Sequence, residues 1–139
     1  MDVYATPFVK TQKKLIVLVS NCGFWEKENF APLLAHVKAM CENMNLEFAG
    51  ALLRPHGPTL GMMLKMGAPV HDVLEAAEEA GRQLVNEGKM SEETLSVVSR
   101  ELISLADYVQ THNQRIKQFV EMMSKAPPAG GKIRMEGKG

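Results

Sequence analysis

The chain has 139 residues, which is enough for one domain of ordinary size and too few for two. Its 16 lysines and arginines balance its 16 aspartates and glutamates, so net charge favours neither nucleic acid nor an anionic membrane as a partner. No apolar stretch approaches the roughly 20 residues of a membrane-spanning helix, and the first residues carry no signal-peptide pattern. We therefore expect a cytoplasmic protein.

The residue types that bind metals or form disulfides are sparse. The two cysteines, Cys22 and Cys41, are expected to be free thiols in a reducing compartment. The four histidines have no ligand spacing, so the sequence predicts no metal site. They are His36, His56, His71 and His112.

The first regular element follows an extended lead-in over residues 1–13. Five branched aliphatic residues, Leu15 to Val19, predict a strand over about 14–20. Because polar residues do not alternate with them, we expect this strand to be buried on both faces, as in parallel sheets covered by helices. The turn Asn21–Phe24 then lies at the strand's carboxyl end, where open α/β sheets bind ligands.

A strand, helix, strand unit comes next. Apolar residues recur every three or four positions over about 30–44, which predicts a helix with one core-facing side. The segment 46–53 predicts a second strand, in which Gly50 allows close backbone approach. Such a unit is a right-handed crossover, so we expect the two strands to be parallel.

Proline and glycine then interrupt the regular pattern. Arg54, at the end of the second strand, is expected to form a surface ion pair rather than to bind a phosphate or a carboxylate. The methionine group of residues 62–66 lies in an apolar loop or short helix. It is the strongest sequence candidate for a subunit interface.

Helical patterns fill the remainder up to a glycine-rich tail. The periodicity predicts helices over about 70–87 and 91–125, with Gly88 ending the first in a left-handed conformation and Ser91 capping the second. Whether 91–125 forms one helix or two is open at this stage, and its length is typical of packing between chains. The tail 126–139 is predicted to be disordered.

These elements do not complete a sheet. Two parallel strands leave two open edges and an underfilled face. A second copy of the chain, a separate partner, or a strand from residues 1–13 would each complete it. The sequence therefore predicts an α/β half-domain over residues 14–125 that associates.

Three segments of the sequence resemble a known family. LIVLVSNCGFWEKENFAPL, LEFAGALLRP and VLEAAEEAGRQLVNEGKMSEETLSVVSRELIS look like the carboxyl-terminal half of flavodoxin-like NAD(P)H-dependent FMN reductases, in particular the iron-sulfur-flavoprotein-like branch. The resemblance covers about residues 14–113. It implies a partial flavodoxin-like three-layer fold, with the strand ending at Ser20 matching the fourth of five strands and that ending at Leu53 the fifth.

The resemblance also implies a divided flavin site. The family's phosphate-binding loop and its cluster-binding cysteines lie in the half that has no counterpart here, so no iron-sulfur cluster is implied. The loop that lies beside the flavin ring is matched by Asn21, Cys22, Gly23 and Phe24. A complete FMN site would then need a partner that carries the missing amino-terminal half, or another copy of the chain.

The residues themselves leave three interpretations of the turn open. Backbone N–H groups made accessible by Gly23, the Asn21 side chain and the aromatic faces of Phe24 and Trp25 suit a planar heterocycle. Cys22, between a strand and a helix, could be a reactive thiol, although the acidic residues 26–28 disfavour a thiolate. The turn could also be purely structural.

The leading functional hypothesis is FMN-linked electron transfer from NAD(P)H by an assembly that contains this chain. The first alternative is a non-enzymatic oligomerisation or interaction module derived from the same fold. The second alternative is a thiol-redox protein that uses Cys22.

Overall fold

A computed structural model describes residues 14–125, so the predictions for 1–13 and 126–139 lie outside the described part of the chain. The chain divides into two compact units, Met1–Leu102 and Ile103–Gly139, which are described separately. The first unit contains strands β1 (Leu15–Asn21) and β2 (Glu47–Arg54), a short 3-10 helix (Lys27–Phe30), and helices α1 (Ala31–Asn43), α2 (Gly57–Lys65), α3 (His71–Glu87) and α4 (Glu92–Ser99). The second contains α5 (Leu105–Lys125).

The α/β class and the parallel strand pair are confirmed. β1 and β2 form a two-stranded parallel sheet, and each strand agrees with its predicted range to within one residue at either end. The pairing is regular except at one point, where Ile16 pairs with Phe48 but Val17 pairs with Gly50. Ala49 is therefore an extra residue in β2, a β-bulge.

Helices pack on β2 from both faces of the sheet. Successive residues of a strand point to opposite faces, so the partners of Ile16 and Val17 also face opposite ways. Phe48 faces α1, whose Lys38 ammonium lies 5.6 Å from the centre of the Phe48 ring. Gly50 faces Met90, next to α4, because a Cβ built on Gly50 would lie 2.7 Å from Met90 Cε. We infer that α1 covers one face and α3 with α4 the other.

The prediction that the first strand is buried on both faces is wrong for this chain. The residues of β1 are half-buried or exposed, and Val19 is 74% exposed. The physical reason is that, within residues 14–125, the main contacts of the covering helices with the sheet are made to β2 rather than to β1. The buried apolar side chains of the core lie instead in and around β2, α1, α3 and α4: Phe30, Cys41, Leu53, Val70, Val73, Ala76, Ala80, Met90 and Val98.

Both predicted signals between α3 and α4 are confirmed. Gly88 follows α3 with φ 70°, a left-handed conformation that glycine adopts without steric cost. The Ser91 hydroxyl accepts the Thr94 N–H at 3.2 Å and so caps α4. Glu92 and Glu93 occupy the first turn, where carboxylates interact favourably with the helix dipole.

The stretch 91–125 forms two helices, not one. The backbone at Arg100 is extended, with φ −57° and ψ 153°, and α4 ends at Ser99. Helix α5 begins after Ser104, whose hydroxyl accepts the Asp107 N–H at 3.1 Å. Hydrogen bonds from distant residues, described below, hold the intervening segment out of helical geometry. No helix among residues 14–125 is both long enough and apolar enough to cross a membrane.

The segment after β2 contains a helix that the sequence left open as a loop or a short helix. Its proline at position 58 falls in the first turn of α2, where the missing N–H costs no hydrogen bond. Met62 and Met63 are half-buried, whereas Met66 is largely exposed. This leaves part of the methionine group accessible for an interface.

We expect Gly50→Ala to destabilise the first unit by about 1–3 kcal/mol. Gly50 has φ 129°, which L-residues rarely adopt, and the added methyl group would collide with Met90. The measurement is urea unfolding followed by circular dichroism. Gly81→Ala is the matched control, because Gly81 lies inside α3 with open space around its Cα, and it should gain about 0.5–1 kcal/mol. Equal effects of the two substitutions would contradict the close approach at Gly50.

Candidate functional site

Two loops meet at the carboxyl end of the sheet and are joined by their backbones. The loop after β1 and the loop after β2 share three hydrogen bonds: Cys22 N–H to the Arg54 carbonyl at 3.1 Å, His56 N–H to the Phe24 carbonyl at 2.7 Å, and Gly57 N–H to the Cys22 carbonyl at 2.9 Å. The sequence-predicted turn is therefore fixed against the segment 54–57. These backbone hydrogen bonds hold the two loops together at the strand ends.

The four predicted site residues do not share one surface. Asn21 lines an apolar cleft beside the sheet. Cys22 is half-buried, with Sγ 3.6 Å from the Phe24 carbonyl oxygen. Gly23 is exposed, with no other atom within 4 Å of the position a Cβ would take. The Phe24 side chain is 62% exposed. Cys22, Gly23 and Phe24 therefore lie beside the cleft and outside its lining.

The cleft lies between the sheet and helices α2, α3 and α4. Its volume is about 510 Å³, within the range of small-molecule sites. The lining is mostly apolar, with a few polar groups at the strand ends, and comprises Val19, Ser20, Asn21, Leu52, Arg54, Gly57, Pro58, Leu60, Val73, Leu74, Ala77 and Val98. Because Val19 is largely exposed, the cleft opens along β1.

Gly57 sets the position of the Asn21 side chain. A Cβ on Gly57 would lie 2.9 Å from Asn21 Oδ1 and 3.0 Å from Asn21 Cβ. Glycine at this position therefore lets the first turn of α2 pack directly against Asn21. Any larger residue would displace the amide that the cleft presents.

The prediction that Arg54 forms a surface ion pair is wrong. Arg54 is only 7% exposed, and its guanidinium donates to the Pro55, Val98 and Arg100 carbonyls, the first two at 2.8 and 2.6 Å. Burial, and secondly the nearby charge of Arg100, lower the pKa of Arg54 to about 10. Its main bonds go to backbone oxygens at the end of α4, where a cation also interacts favourably with the helix dipole.

Arg54 and Arg100 together fix the segment that follows α4. Arg100 binds both carboxylate oxygens of Asp72, at 2.6 and 2.7 Å, which joins this segment to the first turn of α3. The Arg100 hydrogen bonds hold the pKa of Asp72 below its usual value. These contacts and the hydrogen bonds of Arg54 hold residue 100 in an extended conformation, so α4 ends at Ser99.

His56 completes the same cluster. It is 1% exposed and has a left-handed backbone, with φ 39° and ψ 44°. Its Nε2 accepts the Leu102 N–H at 3.1 Å and lies 3.4 Å from Arg54 Nη2. The ring stacks on Trp25 at a centroid distance of 6.4 Å. Burial, and secondly the charge of Arg54, lower the pKa of His56, so the imidazole is held neutral at neutral pH.

Sequence reasoning missed the cluster of Arg54, His56 and Arg100, and it also missed the contact between Gly57 and Asn21. The letters RPHGP after a strand showed only that regular structure ends there. A buried arginine bound to carbonyls has no local signature, because its partners at Val98 and Arg100 are more than 40 residues away. Among residues 14–125, no group of three or more histidine, cysteine or carboxylate side chains could hold a metal ion.

We expect the stability of the first unit to fall as the pH drops below about 6.5. The folded-state pKa of His56 lies below the unfolded value of 6.5, so between the two values only the unfolded chain takes up the proton. The stability is therefore complete above 6.5 and decreases by at most about 1.4 kcal/mol per pH unit below it. Urea unfolding across this range measures the slope.

The matched variants are His56→Gln and His36→Gln, the latter in an exposed position on α1. His56→Gln should lower stability at neutral pH and reduce the slope below 6.5, whereas His36→Gln should leave the slope as in the wild type. An unchanged slope in His56→Gln would contradict a neutral buried imidazole.

The two free thiols differ in accessibility. Cys22 is half-buried in the exposed turn, whereas Cys41 is 2% exposed in α1. With iodoacetamide, we expect one thiol to react in the native protein and the second only after unfolding. Cys22→Ser should remove the native reaction. Native labelling of Cys41 at a similar rate would contradict the packing of α1 against β2.

No protein-family model, curated protein or solved structure matches this chain. The fold class therefore stands on the structure itself, as a mixed α/β unit with a two-stranded parallel sheet. Function has to be argued from the cleft and its surroundings.

Proposed function

We propose that this chain is a partial flavodoxin-like domain that binds the ring of FMN in an assembly and takes part in electron transfer from NAD(P)H. The observation that carries the proposal is the position of the cleft. It lies at the carboxyl ends of two parallel strands, the place where open α/β sheets bind their ligands. The resemblance of residues 14–113 to FMN reductases supplies the cofactor class.

The composition of the cleft suits a flat, mostly apolar ring. Aliphatic side chains of β1, β2, α2 and α3 provide the contact surface, and Asn21 and Ser20 add hydrogen-bonding groups at one end. A small-molecule site combines such a surface with a few fixed polar groups. Gly23 and Phe24 lie at the same end of the sheet, where the ring's outer edge would meet exposed backbone and an aromatic side chain.

The described residues suit the flavin ring better than they suit the phosphate of FMN. Arg54 lines the cleft, but its hydrogen bonds go to the carbonyls of Pro55, Val98 and Arg100. The guanidinium therefore serves as a helix-end contact rather than as a phosphate ligand. We assign the phosphate contacts to the partner or second copy that the assembly requires.

The open side of the cleft supports an assembly. Val19 is 74% exposed and Leu15 41% exposed, although both lie on a strand whose apolar run suits a sheet interior. Within residues 14–125, β1 pairs with β2 and with no other strand. Another chain that adds strands or a covering helix beside β1 would bury these side chains and close the cleft.

The residues of this chain would bind and orient the ring, while bound FMN would supply the chemistry of accepting hydride and passing electrons on. Apolar side chains of the closed cleft would exclude water from the ring. Asn21, against which the first turn of α2 packs at Gly57, would hydrogen-bond a polar edge of the ring. These are positioning tasks, and no side chain here is assigned a proton transfer.

A second candidate function is a non-enzymatic association module. The exposed apolar side of α5, described below, favours this alternative because association needs no cofactor. The two candidates differ in one observable. Only the first requires saturable flavin binding by the associated protein.

The test is titration of the purified protein with FMN, followed by quenching of flavin fluorescence. We expect saturable quenching at concentrations where the chain associates, or after addition of proteins encoded by neighbouring reading frames. Gly57→Ala should weaken binding by about tenfold, the effect of losing one well-placed hydrogen bond, because its methyl group displaces Asn21.

Gly61→Ala is the matched control. Gly61 lies one turn further along α2, and a Cβ there meets no atom within 4 Å, so binding should equal that of the wild type. Absence of saturable quenching, with the chain alone and with those neighbouring proteins, would exclude the flavin proposal and leave the association module.

A further inference from the structure

We infer that α5 forms a two-helix coiled coil with α5 of a second copy of this chain. This inference rests on the proposed function, because it names one surface through which the assembly forms. The observation behind it is a repeat of seven residues that runs the full length of α5. A coiled coil has apolar residues at positions a and d of such a repeat.

The side chains at a and d follow alternating steps of four and three residues. Starting from Leu105 at d, these positions are Leu105, Val109, His112, Ile116, Phe119 and Met123. Five of the six are apolar, and those five are between 45% and 57% exposed. Side chains of this size at regular spacing form a continuous apolar stripe along a helix about 31 Å long.

The positions on the opposite side of α5 from the stripe are polar. Every b, c and f position is polar or charged: Asp107, Gln110, Thr111, Gln114, Lys117, Gln118, Glu121, Ser124 and Lys125. Among the e and g positions, which border the stripe, Arg115 is the charged residue. Apart from Arg115, the charges of α5 lie away from the stripe, and burial of the stripe leaves them in water.

The seven-residue period identifies the occupant as another helix. A straight helix has 3.6 residues per turn, so a repeat of 3.5 keeps its apolar stripe in contact only when two helices wind around each other. A flat sheet face imposes no such repeat.

A second copy of the same helix satisfies this requirement directly. When the helices are parallel, a packs with a and d with d, and five of the six layers are apolar, the exception being His112. When they are antiparallel, a packs with d, and His112 lies beside Ile116 of the other copy. Two of the three a positions, Val109 and Ile116, are β-branched, which favours two strands in parallel coiled coils, whereas leucine occupies one of the three d positions. The near absence of charge beside the stripe removes like-charge repulsion between copies.

The deciding experiment is sedimentation equilibrium of the full chain at micromolar concentrations. We expect a dimer for the wild type. Ile116→Glu places a carboxylate in the centre of the stripe and should raise the dimer dissociation constant at least about 30-fold, the effect of losing a hot-spot residue. Val109→Glu, one heptad earlier, should act in the same direction.

Gln114→Glu is the matched control. It introduces the same charge two residues from Ile116, at an f position on the polar side, and should leave the dissociation constant unchanged. Because the substituted side chains are about half exposed in α5, far-ultraviolet circular dichroism should show all variants folded. A monomeric wild type, or a dimer that Ile116→Glu and Val109→Glu leave intact, would overturn the inference.

Failure of this inference is distinguishable from failure of the flavin proposal. A wild-type dimer that dissociates on Ile116→Glu but never binds FMN supports the coiled coil and removes the flavin function. Saturable FMN binding by a chain that associates with a different partner protein but not with itself overturns the coiled coil alone.

Discussion

The arrangement around the sheet depends on one buried cation. The Arg54 guanidinium leaves water and, in exchange, binds carbonyl oxygens at the end of α4, so the cost of its burial is offset by hydrogen bonds and by the helix dipole. This contact ties β2 to α4 and stops α4 at Ser99. It also keeps the guanidinium from serving any ligand of the cleft, although Arg54 lines it. Arg54 therefore lines the cleft, while its hydrogen bonds to backbone carbonyls stabilise the fold.

Local physical chemistry accounts for the elements that the sequence predicted well. The apolar run of β1, the periodicity of α1 and α3, and the left-handed Gly88 depend on near neighbours in the chain. The same holds for the Ser91 cap. The start of α5 had an equally local signal, since the Ser104 hydroxyl accepts the Asp107 N–H as an N-cap and donates to the Asp107 carboxylate. Periodicity alone leaves open whether α4 and α5 are one helix, because the apolar positions continue across this cap.

The features that sequence reasoning missed depend on contacts between distant residues. Nothing near Arg54 or His56 in the chain shows that their partners are the backbone of residues 98–102. The predicted burial of β1 was wrong for a related reason, because it depends on which strand the helices contact, and the apolar run of β1 carries no information about that. For residues 21–24, the sequence predicted the end of the sheet at which the cleft lies. It could not show that Asn21 lines the cleft while Phe24 remains outside it.

The bulge at Ala49 determines which face of the sheet the later side chains of β2 point to. In a regular strand, Phe48, Gly50, Leu52 and Arg54 would all point to the same face, toward α1. The additional residue reverses the alternation after Phe48, so Leu52 and Arg54 turn toward α4 and the cleft. The buried guanidinium reaches the end of α4 because of this single inserted residue. Phe48 before the bulge and Gly50, Leu52 and Arg54 after it therefore face different helices from the same strand.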